Sequence, residues 1–328
     1  MRAFVIPTPD GPSAGELRAV PEPQGAHTWA AGERLLIDVH AAGISFPDVL
    51  QGRGTYQHGQ PPPYVAGGEA CGVVLEAPPG SRFAPGDRVA SLCLWGALAE
   101  RALGLPAYTV KLPDDMSFID GAALQLNYST AWFSCHRIAV QPGERVLIHG
   151  AAGGVGTATI QAVTALGAIP IALVSTPAKA EIARAAGAEI VLGSGKAWLA
   201  DVRDLTGNSG VDAVIDPVGG DDITDSLRAL GVGGRLAVVG FASGRIPQVK
   251  VNRLLLRDLS LVGIALAPFV ERYPQIAGQL ADALESMACS GAIRPVVGAV
   301  LDLPDSARAL ELIESRQALG KVVVRVRS

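Results

Sequence analysis

Residues 144–167 read ERVLIHGAAGGVGTATIQAVTALG, from Glu144 to Gly167. Val146, Leu147 and Ile148 form a short apolar run of the composition a fully buried strand carries, and glycines crowd the stretch from Gly150 to Gly156. From Thr157 onward Ile160, Val163, Ala165 and Leu166 return at helical spacing, so the segment is predicted to be strand, tight turn, helix. That order has a chemical use. Gly153, Gly154 and Gly156, with Val155 among them, let a pyrophosphate approach the backbone, and the unpaired N–H groups and positive dipole end of the helix meet the anion. The turn is AAGGVG, with Ala151 where the usual fingerprint has its first glycine, and a glycine-rich turn by itself also serves simply to join two elements.

The sequence that follows supplies context. Ala168 to Val174 reads as a strand, Ala178 to Ala186 as a helix, Glu189 to Leu192 as a strand and Lys196 to Leu205 as a helix. Val211 to Asp216, Ile223 to Leu230 and Gly234 to Gly240 continue the alternation. Strands separated by helices of this length imply an α/β fold, a doubly wound parallel sheet with helices on both faces.

Residues 1–117 have another rhythm. Arg2–Ile6, Leu35–Val39, Ala70–Leu75, Asp87–Leu94 and Tyr108–Leu112 are short strand candidates separated by proline and glycine turns such as Pro61-Pro62-Pro63 and Pro85-Gly86-Asp87. This predicts a β-rich domain. From Ser117 the pattern becomes helical, which sets a nucleotide-binding domain at 118–264. Residues 265–328, with a helix over Val270–Met287, a strand at Val296–Leu301, a helix at Asp305–Arg316 and a strand at Lys321–Val326, are expected to complete the first domain.

The 328 residues suffice for two domains with ample cores. A hydrophobic fraction of 49% with 18% charged residues belongs to a folded chain, and a net charge of −4 offers no broad attraction for nucleic acid or anionic membrane. An anionic cofactor therefore needs a local site. Cys71, Cys93, Cys135 and Cys289 are scattered without metal-ligand spacing, which favours reduced structural thiols. No apolar run approaches the ~18 to 20 residues of a membrane span, so a cytoplasmic location is expected.

The proline-punctuated β domain, AAGGVGTATIQ at 151–161, DPVGG at 216–220 and GKVVV at 320–324 together resemble the zinc-independent quinone oxidoreductases of the medium-chain dehydrogenase/reductase superfamily, the zeta-crystallin-like family. SFPDVLQGRGTYQ at 45–57, PPPYVAGGEACGVV at 61–74 and FASGRIPQVKVNRLLLRDLSLVGI at 241–264 are similar to further family segments, so the resemblance runs end to end. It implies a GroES-like catalytic domain joined to a Rossmann domain. Zinc-dependent members of the superfamily have Cys at the position of Ser45, His at that of Gly68 and Cys near Leu126. Glycine and leucine offer no lone pair to zinc, so metal-free catalysis is expected. Quinone reductases commonly have Asn in place of Ser45, Tyr in place of Leu50 and a Tyr near Ser194; only the tyrosine aligned with Tyr56 is present here.

Sites that prefer NAD place an acidic residue after the second strand, roughly twenty residues beyond the turn, to hold the ribose hydroxyls. This chain has Val174-Ser175-Thr176-Pro177-Ala178-Lys179 there, so NADPH is expected, with Ser175, Thr176 and Lys179 at its 2′-phosphate. The alternative reading of the same residues is a helix cap and a solvated lysine. Val218 and Gly219 in the DPVGG loop, and Gly240 and Phe241 after the next strand, are placed by resemblance beside the nicotinamide. So are Asn127 and Thr130, which as polar residues in an apolar helix also serve to satisfy backbone groups.

Hydride transfer without a metal needs a hydrogen-bond donor for the acceptor or an acceptor that spreads its own charge, as quinones and enones do. Tyr56 and Ser45 are the catalytic candidates, Tyr56 as proton or hydrogen-bond donor, against readings in which Tyr56 only packs and Ser45 only satisfies backbone. Asp48 reads as a helix cap. The expected activity is NADPH-dependent reduction of small quinones or α,β-unsaturated carbonyls, the alternatives being enoyl-thioester reduction and non-catalytic NADPH binding. The apolar stretch Leu259–Leu266 (LSLVGIAL) predicts a sheet edge that pairs two copies into a homodimer.

Overall fold

The computed structural model describes residues 1–29 and 33–327. Two compact units result: residues 1–126, 277–291 and 295–328, and residues 127–276 with 292–294.

The first unit contains β1 (Arg2–Ile6), β2 (Glu16–Ala19), β3 (Leu35–Ile44), α1 (Phe46–Gly52), β4 (Tyr64–Val65), β5 (Glu69–Glu76), β6 (Arg88–Leu92), β7 (Arg101–Gly104), β8 (Thr109–Lys111) and α2 (Phe118–Gly121). Chain order then runs through α3 (Gln125–Arg137), β9 (Arg145–Ile148), α4 (Gly154–Ala165), β10 (Ile169–Val174), α5 (Pro177–Ala185), β11 (Ile190–Gly193) and α6 (Trp198–Leu205). It continues with β12 (Val211–Asp216), α7 (Ile223–Ala229), β13 (Leu230–Val238), α8 (Asn252–Leu255), β14 (Ser260–Gly263) and α9 (Leu266–Arg272). Last come α10 (Gln275–Cys289), β15 (Val297–Asp302), α11 (Ser306–Glu314) and β16 (Lys321–Arg325).

In the first unit a sheet ordered β15-β16-β3-β5-β6-β8, with β7 also on β3, lies with a smaller sheet β2-β1-β4. Ten residues of β3 form its spine, antiparallel to β5 on one side and β16 on the other. Their apolar faces, with Phe4, Ile37, Ile44, Leu98 and Val324, make one core cluster. Because β16 pairs Val322 with Ile44 while β3 pairs Gly43 with Glu69, the register brings Lys321, Ser45 and Glu69 to one end of three adjacent strands.

In the second unit six parallel strands take the order β11-β10-β9-β12-β13-β14. This is the doubly wound parallel sheet expected from residues 144–240. Leu147 lies between Ile171 and Val214 at its centre, and the strand order reverses at β9, where ligands bind outside the carboxyl ends of such strands. Edge strand β14 has exposed residues and pairs only with β13 among the described residues.

Two helical expectations are revised. The stretch 270–287 is not one helix: α9 ends at Arg272 and α10 starts at Gln275, because Pro274 has no N–H and forces Tyr273 out of the helical region, to φ −132° and ψ 75°. The stretch after Ser117 also divides, into α2, capped by the Ser117 hydroxyl accepting from Asp120 N at 3.0 Å, and α3. The proline-punctuated region also contains an α-helix, α1, that opens on Ser45.

Candidate active site

The nucleotide loop of the second unit is built by close approach. A Cβ on Gly156 would stand 2.2 Å from Gly150 O and 2.6 Å from Ala151 Cα, so only glycine lets α4 start so close to β9. A Cβ on Gly154 would meet Asn127 Nδ2 at 2.4 Å, which places Asn127 against the loop; Thr130 stands three residues on, on the same face of α3. At Gly153, the residue that caps α4, a Cβ would meet nothing nearer than 3.4 Å. Among the described residues no side chain caps α4, which leaves the leading N–H groups, including that of Val155, free of a capping side chain. These residues fit a dinucleotide pyrophosphate.

At the carboxyl end of β10, Thr176 caps α5 by accepting from Lys179 N at 3.3 Å, and Lys179 Nζ lies 3.3 Å from Ser175 Oγ. An ammonium and a hydroxyl thus share this strand end, with no carboxylate from 175 to 179. At the end of β12, Asp216 Oδ1 accepts from Val218 N at 2.8 Å and Gly219 N at 3.0 Å, which folds the DPVGG loop on itself. Gly219 has φ 65°, and a Cβ there would press on Phe241 at 2.8 Å. That contact packs the loop after β12 against the loop after β13, which also holds Gly240. Asn127, Thr130, the glycine turn and these strand ends are all elements of the second unit.

The catalytic candidates lie in the first unit, and they are not equivalent. Tyr56 lines a small pocket with Pro47, Asp48, Gln51, Gly68, Leu92, Leu94 and Leu126. Ser45 is not among those lining residues. Its hydroxyl is buried, donates to Glu69 Oε1 at 2.9 Å and accepts from Lys321 Nζ at 2.6 Å, while Lys321 also forms an ion pair with Glu69. Glu69 Oε2 takes the Leu126 N–H at 2.8 Å. Gly43 leaves space for this cluster, since a Cβ there would lie 2.9 Å from Lys321 Cε.

Asp48 does cap α1, its Oδ2 accepting from Ser45 N at 2.8 Å, and it also forms part of the pocket wall. Burial is the main reason its carboxyl is pushed up to about 7, with Glu69 adding to the rise and Lys321 opposing it. Burial, and secondarily the Asp48 charge, raises the Tyr56 phenol above its ordinary value. Gln51 gives its amide N–H to Leu94 O at 2.6 Å, and its Oε1 is buried with no partner among the described residues.

Glu69, Lys321 and Gln51 escaped the sequence reading. The signal was there for two of them: a lone carboxylate in GGEACG and a lone ammonium opening KVVV are opposite charges in otherwise apolar strands. In the second unit, buried His149 was also overlooked; its Nε2 lies 2.9 Å from Ser226 Oγ and its ring is edge-on to Trp198. Among the described residues no group of three or more His, Cys, Asp or Glu is arranged to hold a metal ion.

Comparison with known proteins gives this architecture its place. Residues 31–114 match the alcohol dehydrogenase GroES-like domain and residues 154–283 match the family described as zinc-binding dehydrogenase. The chain is 36% identical over 297 residues to quinone oxidoreductase-like protein 2 of Rattus norvegicus, covering 89% of this chain and 85% of that protein. The chain belongs to the quinone oxidoreductase family. It is an oxidoreductase of the medium-chain dehydrogenase/reductase superfamily, with a GroES-like domain and a Rossmann domain. A probable oxidoreductase from Mycobacterium abscessus superposes with a TM-score of 0.89 at 37% identity, over 99% of both chains. The quinone oxidoreductase of Thermus thermophilus, solved also in complex with NADPH, superposes at 0.81 with 31% identity, over 99% of this chain and 100% of that one.

Proposed function

We propose that this family member is a cytoplasmic NADPH-dependent reductase of small quinones and α,β-unsaturated carbonyls that works without zinc. The observation that carries the reading is the uncapped N-terminus of α4 behind Gly153–Gly156, at the strand-order reversal, followed by a β10 end holding Ser175 and Lys179 and no carboxylate. The NADPH complex of the Thermus thermophilus relative supports it. When bound, NADPH supplies a hydride equivalent. The N–H groups of Gly154, Val155 and Gly156 bind the pyrophosphate, and Lys179 with Ser175 and Thr176 binds the 2′-phosphate. Asn127, Thr130, Val218, Gly219, Gly240 and Phe241 orient the nicotinamide end.

In the first unit Tyr56 donates a hydrogen bond to the acceptor oxygen. Ser45 acts one step back, holding the Glu69–Lys321 pair. Absence of zinc is supported by glycine at position 68 and by the Ser45 hydroxyl being already engaged with Glu69 and Lys321. The acceptor class follows, because a site without a Lewis acid favours acceptors that delocalise the incoming charge.

A homodimer through β14 is part of the proposal. In the segment between β13 and β14, Ile246, Val251, Leu255 and Leu256 are 75–83% exposed, apolar side chains that a second copy would cover.

The test is nicotinamide oxidation by the purified protein with NADPH or NADH and a panel of quinones, enones and enoyl thioesters. Turnover of free quinones with NADPH preferred is expected, and Lys179→Ala lowers that preference about tenfold. Turnover restricted to thioesters would replace the reading with enoyl-thioester reduction, and no turnover with any acceptor would leave only nucleotide binding.

A further inference from the structure

We propose that Asp48 is the proton donor of this site, its carboxyl giving a proton to the acceptor oxygen that becomes negative when hydride arrives. The inference rests on the reductase reading above and adds the source of the proton.

Asp48 both caps α1 and lines the pocket. Oδ2 is held by the Ser45 N–H at 2.8 Å, which fixes the carboxyl in the first turn of α1. Oδ1 lies toward Gly68, where even a Cβ would come within 3.3 Å of it. Only glycine allows this approach, the Gly68 backbone N–H supports the carboxyl there, and Asp48 lines one pocket with Tyr56 and Gln51. Gln51, another residue of the pocket lining, is a second pointer, because its buried Oε1 has no partner among the described residues, and such an acceptor is costly unless a donor reaches it. The O–H formed on the reduced acceptor is such a donor.

The charged and titratable groups around Asp48 are Glu69 and Lys321, from β5 and β16, and the phenols of Tyr56 and Tyr64. Lys321 is paired with Glu69, so neither cancels the effect of burial, and the carboxyl keeps its proton to about pH 7. An acid matched to the working pH is the efficient proton donor. Tyr56, raised further above its already high ordinary value, is the weaker acid and serves as a hydrogen-bond donor.

The step balances. Hydride adds to the quinone or to the β-carbon of the enone, and the displaced π pair comes to rest on oxygen. The Asp48 O–H bond breaks, its electrons stay on the carboxylate, and a new O–H bond forms on the acceptor. The carboxylate then takes a proton from water, so the sum is NADPH, acceptor and one proton to NADP and the two-electron-reduced acceptor.

The experiment has two arms on the full chain. Turnover of menadione with NADPH is followed between about pH 5 and 9 for wild type, Asp48→Asn and Asp48→Glu, with NADPH affinity from protein fluorescence. Asp48→Asn is expected to lower kcat about 100-fold and abolish its fall above neutrality with NADPH affinity unchanged, and Asp48→Glu to restore part of the rate and the pH limb. A kcat within about twofold of wild type, or an unchanged alkaline limb, overturns the proposal. The second arm needs no turnover: in wild type with carbon-labelled aspartate side chains, one carboxyl resonance titrates near neutrality, and none doing so overturns the proposal even if the variants fail to fold. Wild type that turns over no quinone or enone while showing that resonance would instead count against the reductase reading.

Discussion

At the scale of single residues, glycines of one loop differ sharply in what they tolerate. Gly156→Ala drives a methyl into Gly150 O and Ala151, whereas Gly153→Ala meets nothing closer than 3.4 Å. Gly156→Ala is therefore expected to lower the melting temperature by several degrees and weaken NADPH binding at least tenfold, with Gly153→Ala folding normally; calorimetry of both variants checks this. The Glu69–Lys321 pair gives a second prediction. Lys321→Met leaves a carboxylate buried beside Ser45 without its cation, at a cost of about 3 to 5 kcal/mol, and adding Glu69→Gln recovers part of it, as denaturant titration of the single and double variants would show. The glycine turn was legible in the sequence because close approach demands glycine. The pairing of Glu69 with Lys321 was not, because residues 252 positions apart meet only through the register of three strands.

At the scale of elements, His149 ties the end of β9 to α7 through Ser226. Burial lowers its pKa below the ordinary 6.5, against the pull of Asp216 and Asp222. The unfolded chain then binds the proton more readily, so this group adds stability above about pH 6.5 that is lost as pH falls below it. His149→Gln removes that dependence: between about pH 7 and 5 its melting temperature should fall a few degrees less than that of wild type, and an equal fall would refute the assignment. The exposed apolar side chains at the end of α8, ahead of β14, carry another prediction. Leu255→Asp with Leu256→Asp converts the expected dimer into monomer, read as sedimentation mass at micromolar concentration; a wild type already monomeric would remove the proposed interface. Strand β12 at Val211–Asp216 and β1 at Arg2–Ile6 fall where the short apolar runs put them, because both are buried along most of their length. Strands β2, β4 and β7, each of four residues or fewer, are too short for a period to show, and the single helix expected over 270–287 yielded to one proline.

At the scale of the whole molecule, two units with unlike rhythms divide the work assigned to them. A parallel sheet carries nucleotide-binding loops at its carboxyl ends, and the mostly antiparallel unit holds a buried carboxyl and a phenol on a small pocket. The nucleotide side was read from local sequence, since a dinucleotide loop is contiguous. The acceptor side is assembled from α1, Gly68 and Leu126, and sequence reading found Tyr56 there while assigning Asp48 only its cap. The most direct measurement of the account is menadione-dependent oxidation of NADPH by protein dialysed against a strong chelator, with zinc quantified in the same sample. An undiminished rate with far less than one zinc per chain is expected. A rate lost on dialysis and restored by zinc, with about one zinc bound per chain, would contradict it.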